Sequence, residues 1–180
     1  MADIDLHKLK YPIGDFVAKS HYDADERNSN ILTIEMLPSK LETAITGLNN
    51  EQLNTAYRPE GWTVRQVVHH LADSHMNSFV RFKWALTEDT PEIKPYLQAK
   101  WCDMADAKNL DVKPSLQILT GVHARLTAVL TNMNDSDFAR TLYHPEMKKN
   151  LSLSRMLALY AWHSKHHLRQ VTDLKLRMNW

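Results

Sequence analysis

Two short stretches of this chain concentrate the residues that could do chemistry. VVHHLADSH, from Val67 to His75, holds His69, His70 and His75, and WHSKHHLRQ, from Trp162 to Gln170, holds His163, His166 and His167. An imidazole can serve as a metal ligand, a proton carrier or a buried hydrogen-bonding group. On a helix, residues three and four apart lie about 60° and 40° from one another around the axis and share a face. In the later stretch Met156, Tyr160, His163, His167, Val171, Leu174 and Met178 advance in such steps, which makes them the core-facing stripe. His166 falls instead with Trp162, Arg169 and Asp173 on a more polar strip, as a bystander or a pocket-rim residue.

Two inward imidazoles in adjacent turns are costly unless their nitrogens are occupied, since an unpaired buried polar group costs about 1–3 kcal/mol. Hydrogen bonds to a neighbouring helix would meet that demand. So would a divalent metal, for which His at i and i+4 is a recurrent two-ligand arrangement. The single cysteine, Cys102, rules out a cysteine-cluster zinc site. A third ligand must come from elsewhere in the chain, and VVHHLADSH is the obvious donor. There His75 is on the apolar stripe, His70 beside it, and His69 shares a face with Asp73, which could orient its ring. Helical spacing leaves His70 and His75 equally eligible. His7, His21 and His123 show no pairing pattern and are expected to be ordinary.

The elements that must carry these residues read as helices. Glycine is scarce, with four in 180 residues, and apolar residues recur at helical spacing. A first long helix is expected over about 25–46, kinked or interrupted by Pro38. A second starts at Thr63, with Gln66 three residues on as a capping box, and carries Val64, Val68, Leu71, His75, Phe79, Phe82 and Leu86 on one face. The stretch from Pro91 to Pro114 reads as irregular, with a short helical piece near Trp101. A third helix is expected over about 115–133, then a turn at Asn134–Asp137 with capping potential, and a fourth from about Ser152 nearly to the end. Glu146–Lys149 reads as a solvated loop. The fold class is therefore all-α: a four-helix bundle, one domain over 1–180, with one long crossover connection.

Composition narrows the partners. Lysine plus arginine number 22 against 21 acidic residues, a net charge of +1, which gives no electrostatic case for nucleic acid. No apolar run of transmembrane length occurs, and the start of the chain shows no charged-then-apolar signal pattern, so the expectation is a cytoplasmic protein. No glycine-rich phosphate loop is present.

Several segments carry a resemblance: YPIGDF (Tyr11 to Phe16), GWTVRQVVHHLADSHMNS (Gly61 to Ser78), RFKWALTEDTPEIKPY (Arg81 to Tyr96), LYHPE (Leu142 to Glu146) and LYAWHSKHH (Leu159 to His167). Together they closely resemble the YfiT group of the DinB/YfiT-like superfamily of metal-binding four-helix proteins. The resemblance implies one divalent metal per subunit held by three histidines. The His before Leu-Ala-Asp falls on His70, and the i,i+4 pair falls on His163 and His167. It also implies a homodimer and activity as a metal-dependent hydrolase. Related proteins include thiol transferases and isomerases that use a low-molecular-weight thiol.

Three neutral imidazoles would leave an ion its full charge and an open position, the layout of catalytic rather than structural zinc sites. Zinc, nickel, iron and copper all suit such ligands, with zinc or nickel foremost. Asp73, three residues from His70, is the first candidate for a general base, with orientation of a histidine as its other reading. His144 could reach the mouth of the site or remain a surface turn residue. Trp62, Trp84 and Trp162, with Met76, Met104 and Met156, could line an apolar pocket or belong to the core. The leading expectation is thus a hydrolase acting on a small molecule. The alternatives are a thiol S-transferase of the bacillithiol type and a non-catalytic metal-binding stress protein.

Overall fold

The computed structural model describes residues 5–180. In chain order the elements are α1 (Leu6–Lys10), α2 (Ala24–Ile45), α3 (Asn50–Leu53), α4 (Val64–Thr87), α5 (Gln98–Cys102), α6 (Ala105–Asn109), α7 (Lys113–Thr131), α8 (Asp135–Ala139), β1 (Thr141–His144), β2 (Lys149–Ser152) and α9 (Leu153–Met178). The four long helices α2, α4, α7 and α9 form the bundle. α2 packs on α9 and α7, and α4 packs on the same two, so α2 and α4 are diagonal although they follow one another in sequence.

Local chemistry sets the helix starts. Asp23 and Glu26 form a capping box before α2, and Thr63 with Gln66 does so before α4. The long connection between α4 and α7 is the expected crossover, and it holds the short helices α5 and α6 around Trp101. Pro38 does not break α2, which runs continuously past it. The proline removes an amide donor, but the carbonyl it would have served, that of Ile34, receives a different donor, Nδ1 of His123.

The antiparallel hairpin of β1 and β2 was not foreseen from the sequence, where 146–149 reads only as a loop. Leu142 faces Leu151 across the pair and both are buried, while Lys148 turns the chain with φ of 50°. Backbone bonds from Ile93 and Tyr143 then tie the crossover to β1. The hairpin thereby holds His144 beside α4 and α9.

Two apolar clusters fill the bundle. One gathers Leu37, Leu41, Val64, Val68, Leu71, Leu119 and Val171. The other gathers Ile34, Phe82, Leu126, Leu142, Leu153, Met156 and Tyr160. On α4, α7 and α9 the residues between the two clusters include His75, His123, His163 and His167. The expected α9 stripe is found except at its end, where Met178 is 48% exposed. Met76 and Trp84 are each 39% exposed and Met104 57%, so they are not core, whereas Met156 is.

Because α4 delivers both His70 and His75, its starting point should matter for stability. Replacing Thr63 with Ala removes the hydroxyl that accepts from the Gln66 amide and should destabilise the protein by about 1 kcal/mol. A thermal melt should show that as a loss of roughly 2–4 °C.

Candidate metal centre

Three ring nitrogens, from His70 on α4 and His163 and His167 on α9, lie within 4.8 Å of one another. The Nε2 atoms of His70 and His163 are 3.1 Å apart. Sequence periodicity could not choose between His70 and His75 because α4 is buried on more than one face. It packs against α7, α9, α5 and α6, and nearly every residue from Val64 to Ala72 is buried. The structure brings His70 to the cluster directly and places His75 behind it. Burial pushes the His70 imidazole down to about 4, and it holds His163 and His167 well below their ordinary value. The three are therefore neutral at pH 7, with lone pairs available for an ion.

Each α9 histidine is held from behind. Nδ1 of His167 lies 2.8 Å from Oε1 of Gln170, whose Nε2 donates to the carbonyl of Lys10 at 2.9 Å and to Nε2 of His166 at 3.0 Å. A carbonyl accepts only, so the Gln170 amide can be oriented in one way. Its oxygen then takes the Nδ1 proton of His167, leaving Nε2 of that ring free. Nδ1 of His163 lies 3.2 Å from Nε2 of His75, whose Nδ1 is 2.9 Å from Nε2 of His123. His123, expected to be ordinary, is instead buried and bonded at both nitrogens. Sequence reasoning missed it because its partners are on α4 and α2, out of reach of any spacing within α7.

His166 also departs from the polar strip assigned to it. The segment from Lys10 to Phe16 folds over that face of α9. Tyr11 stands against the His166 ring, the Phe16 ring faces Trp162, and the Trp162 indole donates to the Gly14 carbonyl. His166 becomes buried, stacked on Trp162, with Nδ1 lacking a partner. Its Nε2 accepts from Gln170, so the orphan Nδ1 carries the proton. His69 does not use Asp73; it bonds Ser115 at 2.7 Å and the Leu110 carbonyl at 3.3 Å.

The Asp73 carboxylate makes no hydrogen bond to a histidine among the described residues. Burial, with Asp106 nearby, pushes its pKa up to about 6. Cys102 is buried and its thiol is pushed up to about 12, which disqualifies it as a thiolate nucleophile.

Two cavities meet at His163. One of about 340 Å³ is lined by all three clustered histidines, with Trp62, Trp162 and His166. The other, about 570 Å³, is lined by Arg81, Tyr96, His144, Tyr160 and His163. Trp62 and Trp162 thus line a pocket, and His144 reaches the site's surroundings. Arg81 is buried, donates to the Tyr160 hydroxyl and the Lys94 carbonyl, and has no carboxylate within ion-pair distance among the described residues.

The buried imidazoles make the metal-free protein acid-sensitive. His70 and His123 are both pushed from 6.5 down to about 4 by burial. As pH falls from 6.5 the unfolded chain takes up protons that the folded chain refuses, so stability falls across that window and is regained as pH rises. Each such group contributes up to about 1.4 kcal/mol per pH unit. Asp73 works in the opposite direction between 3.8 and about 6, as one group against several. Urea unfolding with a chelator present should therefore show a loss of at least about 2 kcal/mol between pH 7 and 5. Equal stability at both values would mean that the imidazoles are protonated in the fold.

The family model described as the DinB superfamily matches residues 33–171. A Geobacillus kaustophilus protein named "Putative metal-dependent hydrolase" is 49% identical over 180 residues, covering 100% of both chains. YfiT of Bacillus subtilis, similarly named, is 45% identical over 96% of this chain and 97% of its own. The solved structure of that YfiT, described as having an unusual four-helix bundle topology, superposes with a TM-score of 0.94, covering 96% of this chain and 99% of its own. The mycothiol-dependent maleylpyruvate isomerase shares the fold at 16% identity, with a TM-score of 0.58 over 78% of this chain and 60% of its own. With a family match over most of its length and relatives this similar, the chain belongs to the DinB superfamily.

Proposed function

We propose that the protein is a metal-dependent hydrolase in which His70, His163 and His167 hold one divalent ion, zinc or nickel. The observation that carries this reading is the gathering of three neutral ring nitrogens within 4.8 Å. The 3.1 Å between two of them is close to the roughly 3.3 Å edge of a tetrahedral site with metal–nitrogen bonds of about 2.0–2.1 Å. Three ligands leave room for substrate beside the cavities described above. Such an ion would supply Lewis acidity, lowering the pKa of a bound water or thiol towards neutral.

The chain's own residues would bind and orient a small molecule. The rings of Trp62, Trp162 and His166 wall the smaller cavity, with Nδ1 of His166 itself buried away from solvent. Arg81, with no carboxylate partner among the described residues, offers a cation on the wall of the larger one, which suits a substrate with a carboxylate or another anionic group. Asp73 lines neither cavity, and it stays the candidate proton acceptor as a carboxyl near His70 on α4 that burial raises to about 6, ionised at pH 7 yet basic enough to take a proton. The relatives' names support hydrolysis. The same cavities could take a low-molecular-weight thiol, and the fold shared with a mycothiol-dependent isomerase makes S-transfer the second reading. A homodimer belongs to the proposal as well, and light scattering reads it.

Elemental analysis should find about one zinc or nickel per chain. His163→Ala should lose it and His166→Ala should keep it; a wild-type protein free of metal and indifferent to chelators would end the metal reading. Turnover of esters and amides, with and without a carboxylate, should proceed in the absence of added thiol. A strict thiol requirement would move the assignment to S-transfer. Asp73→Asn should lower turnover by roughly 10²-fold or more with the metal retained, and an unchanged rate would remove Asp73 from the mechanism.

A further inference from the structure

The histidines behind His163 form a line that crosses the bundle and touches each of its four long helices once. It begins at the Ile34 carbonyl on α2, passes through His123 on α7 and His75 on α4, and ends at His163 on α9. The separations are 2.5, 2.9 and 3.2 Å. The line has a direction, and the backbone sets it. Pro38 has no amide hydrogen, so the Ile34 carbonyl lacks the helical donor that residue 38 would otherwise supply. A carbonyl oxygen only accepts, so the proton of this bond must be on Nδ1 of His123.

A neutral imidazole donates from one nitrogen and accepts at the other. Nε2 of His123 therefore accepts, and Nδ1 of His75 is its donor. Nε2 of His75 in turn accepts, and Nδ1 of His163 donates to it. Nε2 of His163 is left without a proton, facing Nε2 of His70. His75 and His123 are fully buried and each is bonded at both nitrogens inside the core, with no carboxylate against either ring among the described residues. Read in the opposite direction, the line would set two acceptors against one another at Ile34. The tautomer of His163 thus follows from a proline three links away.

We propose that His75 and His123 are positioning residues of the metal centre, locked by the Ile34 carbonyl that Pro38 leaves free, so that His163 presents Nε2 to the ion. This rests on the metal reading above. A histidine ligand whose second nitrogen is held keeps its ring orientation and gains basicity, and loss of such a partner typically weakens metal binding by about 10–100-fold. The relay differs from the Gln170 support of His167 in length. Gln170 reaches the Lys10 carbonyl in one step, whereas the line behind His163 needs two further histidines to cross the core.

Two measurements test this. Long-range ¹H–¹⁵N spectra of the metal-free wild-type protein should show His123, His75 and His163 each protonated at Nδ1 and bare at Nε2. A proton on Nε2 of any of the three overturns the relay, and this readout needs no variant. Zinc affinity, by competition with a chromophoric chelator, should fall about tenfold or more in His75→Leu and His123→Leu. In His123→Gln it should stay close to wild type, because the amide can donate to Ile34 and its oxygen can accept from His75. His123→Leu binding zinc as tightly as wild type would overturn the relay while leaving the three-histidine site standing. A wild-type protein that binds no zinc would overturn both.

Discussion

A buried imidazole nitrogen without a partner is costly, and meeting that cost shapes much of the centre of this bundle. Six of the ten histidines are buried. His75 and His123 lie between two apolar clusters on the helices that all four bundle contacts bring together. An orphaned nitrogen there costs about 1–3 kcal/mol, as much as a large core side chain contributes. The histidines therefore bond to one another, to Gln170 and to backbone carbonyls, and the helices that carry them are held in one mutual register. The layer is both what the packing must accommodate and what gives the site its precision.

Pro38 illustrates how a locally unfavourable residue fits that scheme. In a helix interior it removes a hydrogen bond and costs about 3 kcal/mol or more. Here the freed Ile34 carbonyl becomes the acceptor that ends the histidine line, so the loss in α2 is offset by a bond made across the core. The N-terminal segment performs a related service on the other side. It brings the Lys10 carbonyl to Gln170 and covers His166, which turns an otherwise polar strip of α9 into the wall of a cavity. The chemistry at the centre thus depends on backbone groups from α1 and α2, neither of which supplies a histidine to the cluster.

The cavities add a different kind of information. Three imidazoles would hold an ion with an open position, and a substrate needs space beside it. This site opens to two spaces at His163, one walled by aromatic rings and the other by a guanidinium with no carboxylate partner among the described residues. A guanidinium at the edge of a water-accessible space favours a ligand with acceptor oxygens, which suits the proposed small-molecule reaction.

Much of this was legible in the amino-acid order. The i,i+4 pair of His163 and His167, the capping box at Thr63, the long crossover and the helical bundle all follow from interactions within a few residues, which sequence spacing records. The choice of His70 over His75 did not, because α4 is buried on several faces and periodicity marks only one; there the resemblance to a known family pointed to His70. The hairpin at 141–152 was missed since its stability comes from Leu142 and Leu151 packing against distant helices rather than from a strong turn signal. The roles of His123, Pro38, Gln170 and His166 were decided by tertiary structure alone. A hydrogen bond between helices depends on which side chains face each other across the core, and no spacing along one helix encodes what stands opposite it.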